Sequence, residues 1–215
     1  MIKRFLASSL KKLAKKYPII TITCPRQSGK TTLAKHVFPD YGYVSLEDPD
    51  QRNFAEEDPR GFLSENDNRV IFDEIQRVPL LFSYLQTMVD ERSSAGRFIL
   101  TGSQQFLINE KISQSLAGRT ALLRLMTFSL AELNKRTSQK LWLPQKPSAI
   151  KRPAKQNLYD ILFHGLYPRV HDKKLDPVQW YKDYFETYLT KDVRGMINIG
   201  DLKGFEQFLR LLEGR

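Results

Sequence analysis

The stretch that decides the fold is Cys24-Pro25-Arg26-Gln27-Ser28-Gly29-Lys30-Thr31-Thr32, set between an apolar β-rich run at residues 17–23 (YPIITIT) and a helical pattern at residues 31–37. It matches a phosphate-binding loop of the form G-x-x-x-x-G-K-[ST] between a strand and a helix. In such a loop the backbone N–H groups cradle phosphates and the helix N-terminus adds its positive dipole. Residues Cys24, Pro25, Arg26, Gln27, Ser28, Gly29, Lys30, Thr31 and Thr32 are therefore expected to hold a nucleotide. Lys30 would reach the β and γ phosphates, and the Thr31 hydroxyl would ligate Mg²⁺. One position departs from the pattern: the first glycine is replaced by Cys24. Glycine there lets the chain turn with no side chain in the way. Cys24 reads either as a small passive residue or as a redox thiol.

Working outward, residues 69–73 (RVIFD) form another short apolar run ending in Asp73-Glu74. An acid at the end of such a strand, downstream of a phosphate loop, is placed to orient the Mg²⁺ hydration shell, and Glu74 beside it to polarise an attacking water. The plainer reading is that Asp73 caps a turn. A further run at residues 97–101 (RFILT) ends in Thr101-Gly102-Ser103-Gln104, whose polar groups, Ser103 among them, are placed to sense a γ-phosphate. Arg119 follows Gly118 and reads either as an arginine finger or as a surface arginine after a helix-ending glycine.

The remaining pattern alternates short strands with helices. Residues 2–16 carry an apolar stripe (Phe5, Leu6, Leu10, Leu13) at helical spacing, and Pro18 ends it. Residues 43–46 and 120–126 read as further strands, and residues 79–92 as a helix with proline in its first turn. This predicts an α/β fold, a parallel sheet with helices on both faces. Residues 134–157, rich in lysine and proline, read as a basic linker, and residues 158–215 as a small all-helical region, notably at 177–196 and 202–212. Its Trp180, Tyr181, Tyr184, Phe185, Tyr188 series is expected to pack rather than to stack on a base. The divisions are thus 1–133, 134–157 and 158–215.

Composition narrows the classes. The 215 residues carry 34 Lys and Arg against 24 Asp and Glu. The excess is local, because residues 1–39 and 133–159 hold 16 of those basic residues and no acid at all. Such stripes are either solvated surface or contacts to a phosphate backbone, so segments 1–16 and 133–159 are candidate nucleic-acid contacts. A single cysteine and three histidines form no zinc cluster. No apolar run approaches the ~18 residues of a membrane span, so no membrane partner and a cytoplasmic location are expected.

The blocks CPRQSGKTTL, YVSLEDPD, DPRGF, IFDEIQRVP, ILTGSQQF, SLAGR, LYPRV, WYKDYFETYLTKDVR and FLRLLEGR, in this order, resemble the prokaryotic AAA-type ATPases that end in a domain of unknown function. The resemblance implies an AAA-like P-loop NTPase core. Gly29, Lys30 and Thr31 would be its Walker A residues, Asp73 and Glu74 its Walker B residues. It places Ser103 or Thr101 near a sensor position and makes Arg119 or Arg194 the arginine candidates. Members usually carry glycine where this chain has Cys24. They also continue beyond the equivalent of Arg215, which suggests a truncated chain or a core working without its effector half.

Three readings follow. The first is an ATP-binding protein with Mg²⁺-dependent ATP hydrolysis, its arginine drawn from a neighbouring subunit and hence a homo-oligomer. The second is a non-hydrolysing, nucleotide-dependent binding module acting on DNA through the basic segments. The third is a P-loop kinase for a small molecule, against which stand the Asp-Glu pair and the lack of an arginine-rich lid.

Overall fold

The computed structural model describes residues 2–92, 94–103, 115–134 and 158–188, together with residues 204, 207, 208 and 211. The amino-terminal unit begins with helix α1 (Leu6–Leu13) and continues with strand β1 (Ile19–Thr23), helix α2 (Lys30–Val37), strand β2 (Gly42–Ser45) and helices α3 (Pro49–Glu57) and α4 (Pro59–Glu65). Strand β3 (Val70–Asp73), a 3₁₀ turn (Ile75–Arg77), helix α5 (Leu81–Glu91), strands β4 (Phe98–Gly102) and β5 (Thr120–Arg124) and the short helix α6 (Leu130–Leu133) complete it. The five strands form one sheet in the order β2-β3-β4-β1-β5, and every pair is parallel.

Side chains alternate across each strand, and this alternation builds two cores. On one face Ile20 and Ile22 of β1, Ile71 of β3 and Ile99 of β4 pack with Leu10 of α1 and with Leu33, Ala34 and Val37 of α2. On the other face Ile19, Val70, Phe72, Phe98 and Leu100 pack with Ala55 of α3, Phe62 and Leu63 of α4, and Leu81, Phe82, Leu85 and Val89 of α5. A run of rings, Phe54–Phe62–Phe72–Phe98, crosses that second core with centroids 5.6, 5.7 and 5.9 Å apart. The parallel sheet covered on both faces agrees with the sequence reading.

Helices α3 and α4 are additions to that reading. Each begins at an Asp-Pro pair. The Asp48 carboxylate accepts the Asp50 N–H (3.0 Å), the Asp58 carboxylate accepts the Gly61 N–H (2.9 Å), and each proline fills the first helical position.

The second compact unit comprises residues 157–165 and 169–215. Its described helices are α7 (Leu158–His164), the greater part of α8 (Pro168–Lys173) and α9 (Pro177–Tyr188), with residues 204, 207, 208 and 211 also helical. Trp180 is buried and stacks on Tyr184, with ring centroids 5.2 Å apart. The basic stretch 135–157, Gln104, Arg194 and most of residues 202–212 lie outside the described residues.

Candidate functional site

β1 is buried along its whole length and delivers the chain to the carboxyl edge of the sheet. Cys24 follows, 1% exposed, with its side chain in the core beside Ile22 and Leu33. Burial pushes the Cys24 thiol above its ordinary range. It is thus a packed neutral thiol, an arrangement that fits the passive reading better than the reactive one. The turn from Pro25 to Gly29 puts Gln27 (φ 59°) and Gly29 (φ 89°) in the left-handed region, the alternation that aims successive N–H groups into an anion-binding concavity. The Ser28 hydroxyl and N–H both close on the Pro25 carbonyl (2.9 and 3.4 Å). Ser28 is buried, Gln27 and Thr32 are exposed, and Pro25, Arg26, Gly29, Lys30 and Thr31 are half-buried.

The ends of β3 and β4 bring their polar residues to the same edge. Asp73, 6% exposed, accepts the Thr31 hydroxyl (Oγ1 to Oδ2, 2.8 Å), the Tyr43 hydroxyl (3.0 Å) and the Thr101 hydroxyl. Glu74 sits at φ 57°, outside the strand, which turns its carboxylate onto Lys30 in a buried ion pair. The same carboxylate accepts the Ser103 hydroxyl (3.0 Å), the Ser103 N–H (3.4 Å) and the Gln76 amide. Burial pushes the Glu74 carboxyl up, but the Lys30 ammonium and these hydrogen bonds outweigh it and hold it below the ordinary carboxylate range. Burial likewise works to lower Lys30, and Glu74 more than reverses it, so the ammonium is held above its ordinary value.

The fold therefore gathers Lys30, Thr31, Asp73, Glu74, Thr101 and Ser103 from two strand ends and one helix. Tyr43 and Gln76 join them without having been singled out from sequence. Tyr43 lies on the strand paired with β3, opposite Ile71. Gln76 lies two residues after the acidic pair, and its Oε1 is a buried acceptor with no partner among the described residues. Arg119 is not brought in. It precedes β5, whose first residue pairs with Ile19 at the start of β1, so it lies a strand length, roughly 13 Å, from the loop of its own chain. There its guanidinium makes a two-point pair with Asp90 (2.6 and 2.8 Å).

Chemically, the arrangement offers one ammonium, an N–H-lined loop at a helix start and two adjacent hard oxygen donors, Thr31 Oγ1 and the Asp73 carboxylate. Those donors fit Mg²⁺, which is held by one or two protein oxygens while waters and substrate phosphates fill its other positions. No cluster of three or more His, Cys, Asp or Glu that could hold a metal by itself occurs among the described residues. No described helix is long and apolar enough to cross a membrane.

The sequence model of a family described as an AAA domain matches residues 16–134, and that of a domain of unknown function matches residues 155–215. Two uncharacterized proteins, from Mycobacterium bovis and Mycobacterium tuberculosis, are each 32% identical over 144 residues. That is 66% of this chain and 32% of theirs, so the chain spans about a third of the length of these curated relatives. Among solved structures, the Walker-type ATPase of Pyrococcus abyssi matches at 16% identity over 61% of this chain and 55% of its own, with a TM-score of 0.43. AMPPCP-bound DnaA from Aquifex aeolicus matches at 15% identity over 88% of this chain and 66% of its own, with a TM-score of 0.44.

Proposed function

This chain belongs to the AAA domain family through residues 16–134, and from that premise we propose that it binds ATP and hydrolyses it with Mg²⁺. The reading is carried by one juxtaposition: Lys30 and Thr31 open one helix, and Asp73 and Glu74, more than 40 residues later, meet both of them. Loop 24–32 takes the phosphates through its N–H groups, and Lys30 leaves Glu74 to pair with the β and γ phosphates. Thr31 and Asp73 would hold the metal. When bound, Mg²⁺ neutralises charge across the β and γ phosphates. Glu74, freed from Lys30, accepts a proton from the attacking water, while Ser103 and Gln76 keep its carboxylate oriented. Thr101 fixes the Asp73 rotamer.

Arg119 enters from a neighbouring copy, because within one chain it lies on the opposite edge of the sheet from the loop. The working unit is accordingly a homo-oligomer, placed in the cytoplasm. Its chain divides into a core at 1–133, a basic linker at 134–157 and a helical region at 158–215.

The test is phosphate release from ATP and Mg²⁺ by the wild type, by Glu74→Gln, by Arg119→Ala and by an equimolar mixture of the two variants. Each variant alone is expected to lose turnover by about 10²-fold or more. The mixture regains part of it, since some interfaces then join an intact Glu74 to an intact Arg119. Turnover that survives Glu74→Gln overturns the assignment of the base. A mixture as inactive as its parts overturns the arginine in trans.

A second reading draws on the exposed lysines 3, 11, 12, 15 and 16 around α1: a nucleotide-dependent binding module that holds DNA and does not hydrolyse. A steep fall of DNA affinity with salt, together with ATP binding and no turnover, selects it.

A further inference from the structure

Arg4 belongs by sequence to the basic amino-terminal stretch, yet it is only 7% exposed. Its guanidinium is held from every side. Nε donates to Glu132 Oε1 (3.2 Å), Nη1 to the Ser28 carbonyl (2.9 Å), and Nη2 to the carbonyls of Met126 and Thr127. The Arg4 Cζ also lies 4.8 Å from the centre of the Phe128 ring. Glu132 is itself fixed, because it closes a capping box with Ser129 at the start of α6 and accepts the Phe5 N–H (2.8 Å). A planar, always-charged fork suits such a multiply bonded position, and a flexible ammonium does not reproduce all of it.

Of these contacts, the Ser28 carbonyl is the one in the phosphate loop. The peptide joining Ser28 to Gly29 is planar and trans, so its carbonyl and the Gly29 N–H point in opposite directions. Holding the carbonyl on the Arg4 side therefore turns the N–H to the other. That N–H donates to no protein acceptor among the described residues. Gly29 lies at φ 89° with nothing closer than 3.9 Å to where a Cβ would stand. A peptide flanked by glycine rotates with little steric cost, so this unit of the loop needs an external tether. Rotated, it would present a carbonyl oxygen where an anion has to sit.

We propose that Arg4 is a positioning residue of the phosphate loop, fixing the Ser28–Gly29 peptide so that the Gly29 N–H faces the phosphates of a bound nucleotide. The inference rests on the ATP-binding reading given above. Arg4 works through the peptide and not by touching phosphate.

The experiment uses the whole chain and titrates ATP into the wild type, Arg4→Met, Arg4→Lys and Lys30→Ala by calorimetry, each checked for folding by circular dichroism. Arg4→Met keeps an unbranched side chain of similar reach and removes every donor. Its ATP affinity falls by about tenfold or more, as expected for one charge-assisted hydrogen bond at the loop. Arg4→Lys, which retains a cation able to reach the Ser28 carbonyl, stays within about threefold. A role confined to stability lowers the melting temperature of both variants and leaves the affinity of the folded protein unchanged, which overturns the proposal. A second readout needs no variant: the Gly29 amide resonance of the wild type shifts on adding ATP or inorganic pyrophosphate, and an unmoved Gly29 amide in a saturated protein overturns it too. If the wild type takes up no ATP, the nucleotide reading itself fails and the inference with it. If wild type and Arg4→Met bind equally while Lys30→Ala does not bind, the inference alone fails.

Discussion

Glu74→Gln tests the ion pair at the centre of the site more sharply than a loss of activity does. Without nucleotide, Lys30 and Glu74 neutralise each other with side chains only 13% and 9% exposed. Stranding one member of a buried pair costs about 3–5 kcal/mol when nothing replaces its partner. Here the glutamine amide oxygen still accepts a hydrogen bond and Lys30 retains some solvent, so the expected cost is about 2 kcal/mol. For a chain of this size that lowers the melting temperature by about 4–8 °C. ATP binding to the wild type first has to separate Lys30 from Glu74, and binding to the variant does not. The same 2 kcal/mol therefore reappears as tighter ATP binding, by as much as about thirtyfold. Thermal melts with and without ATP, at one fixed nucleotide concentration, read both effects. The apo variant melts lower, and its gain on adding ATP exceeds that of the wild type. If the apo melting temperatures coincide and ATP stabilises both equally, Lys30 is not held by Glu74 and the reasoning fails.

Other perturbations follow from the same geometry. Glu74 and Glu132 both sit below the ordinary carboxylate value of 4.5. Burial opposes this in each, and it is overcome by Lys30 at Glu74 and by the Ser129 and Phe5 amides at Glu132. Their contribution is thus fully present above the unfolded value and lost as pH falls through the lower folded one. The urea midpoint of the wild type should drop below pH 4.5, and a Glu74→Gln/Glu132→Gln chain that drops as steeply would contradict this. Phe72→Ala, at a fully buried ring in contact with Phe62 and Phe98, should cost about 3–5 kcal/mol in urea unfolding. A cost under about 1 kcal/mol would mean that the ring run is not packed as described. Cys24, a buried thiol with a raised pKa, should resist iodoacetamide in the native chain at neutral pH and react fully in denaturant. Rapid native alkylation would reopen the redox reading, and tighter ATP binding in Cys24→Gly would show what the side chain costs the loop.

Much of this was legible in the chain itself. The β1–loop–α2 unit announced itself through YPIITIT followed by a Gly-Lys-Thr helix start, because a fully buried parallel strand leaves an apolar run and a phosphate loop leaves its glycine and lysine. Asp73-Glu74 was legible for the same reason, as charge at the end of such a run. Helices α3 and α4 were not read, since neither is long or strongly apolar, although the Asp48-Pro49 and Asp58-Pro59 pairs are the start signals that could have found them. The left-handed turn at Glu74 that closes the pair with Lys30 has no signature in a glutamate. Arg4 was hidden among lysines. Of the six basic residues before Tyr17, it alone is buried, and only the approach of residues 126–132 explains why. Arg119 shows the opposite limit, because only the strand register reveals that it lies away from its own loop.

The most direct measurement of the central claim is calorimetric titration of ATP, with Mg²⁺, into the 215-residue chain and into Lys30→Ala. Saturable binding near one nucleotide per chain is expected in the wild type, and none in a variant whose far-ultraviolet circular dichroism is unchanged. Equal uptake by both proteins, or none by the wild type, would contradict it.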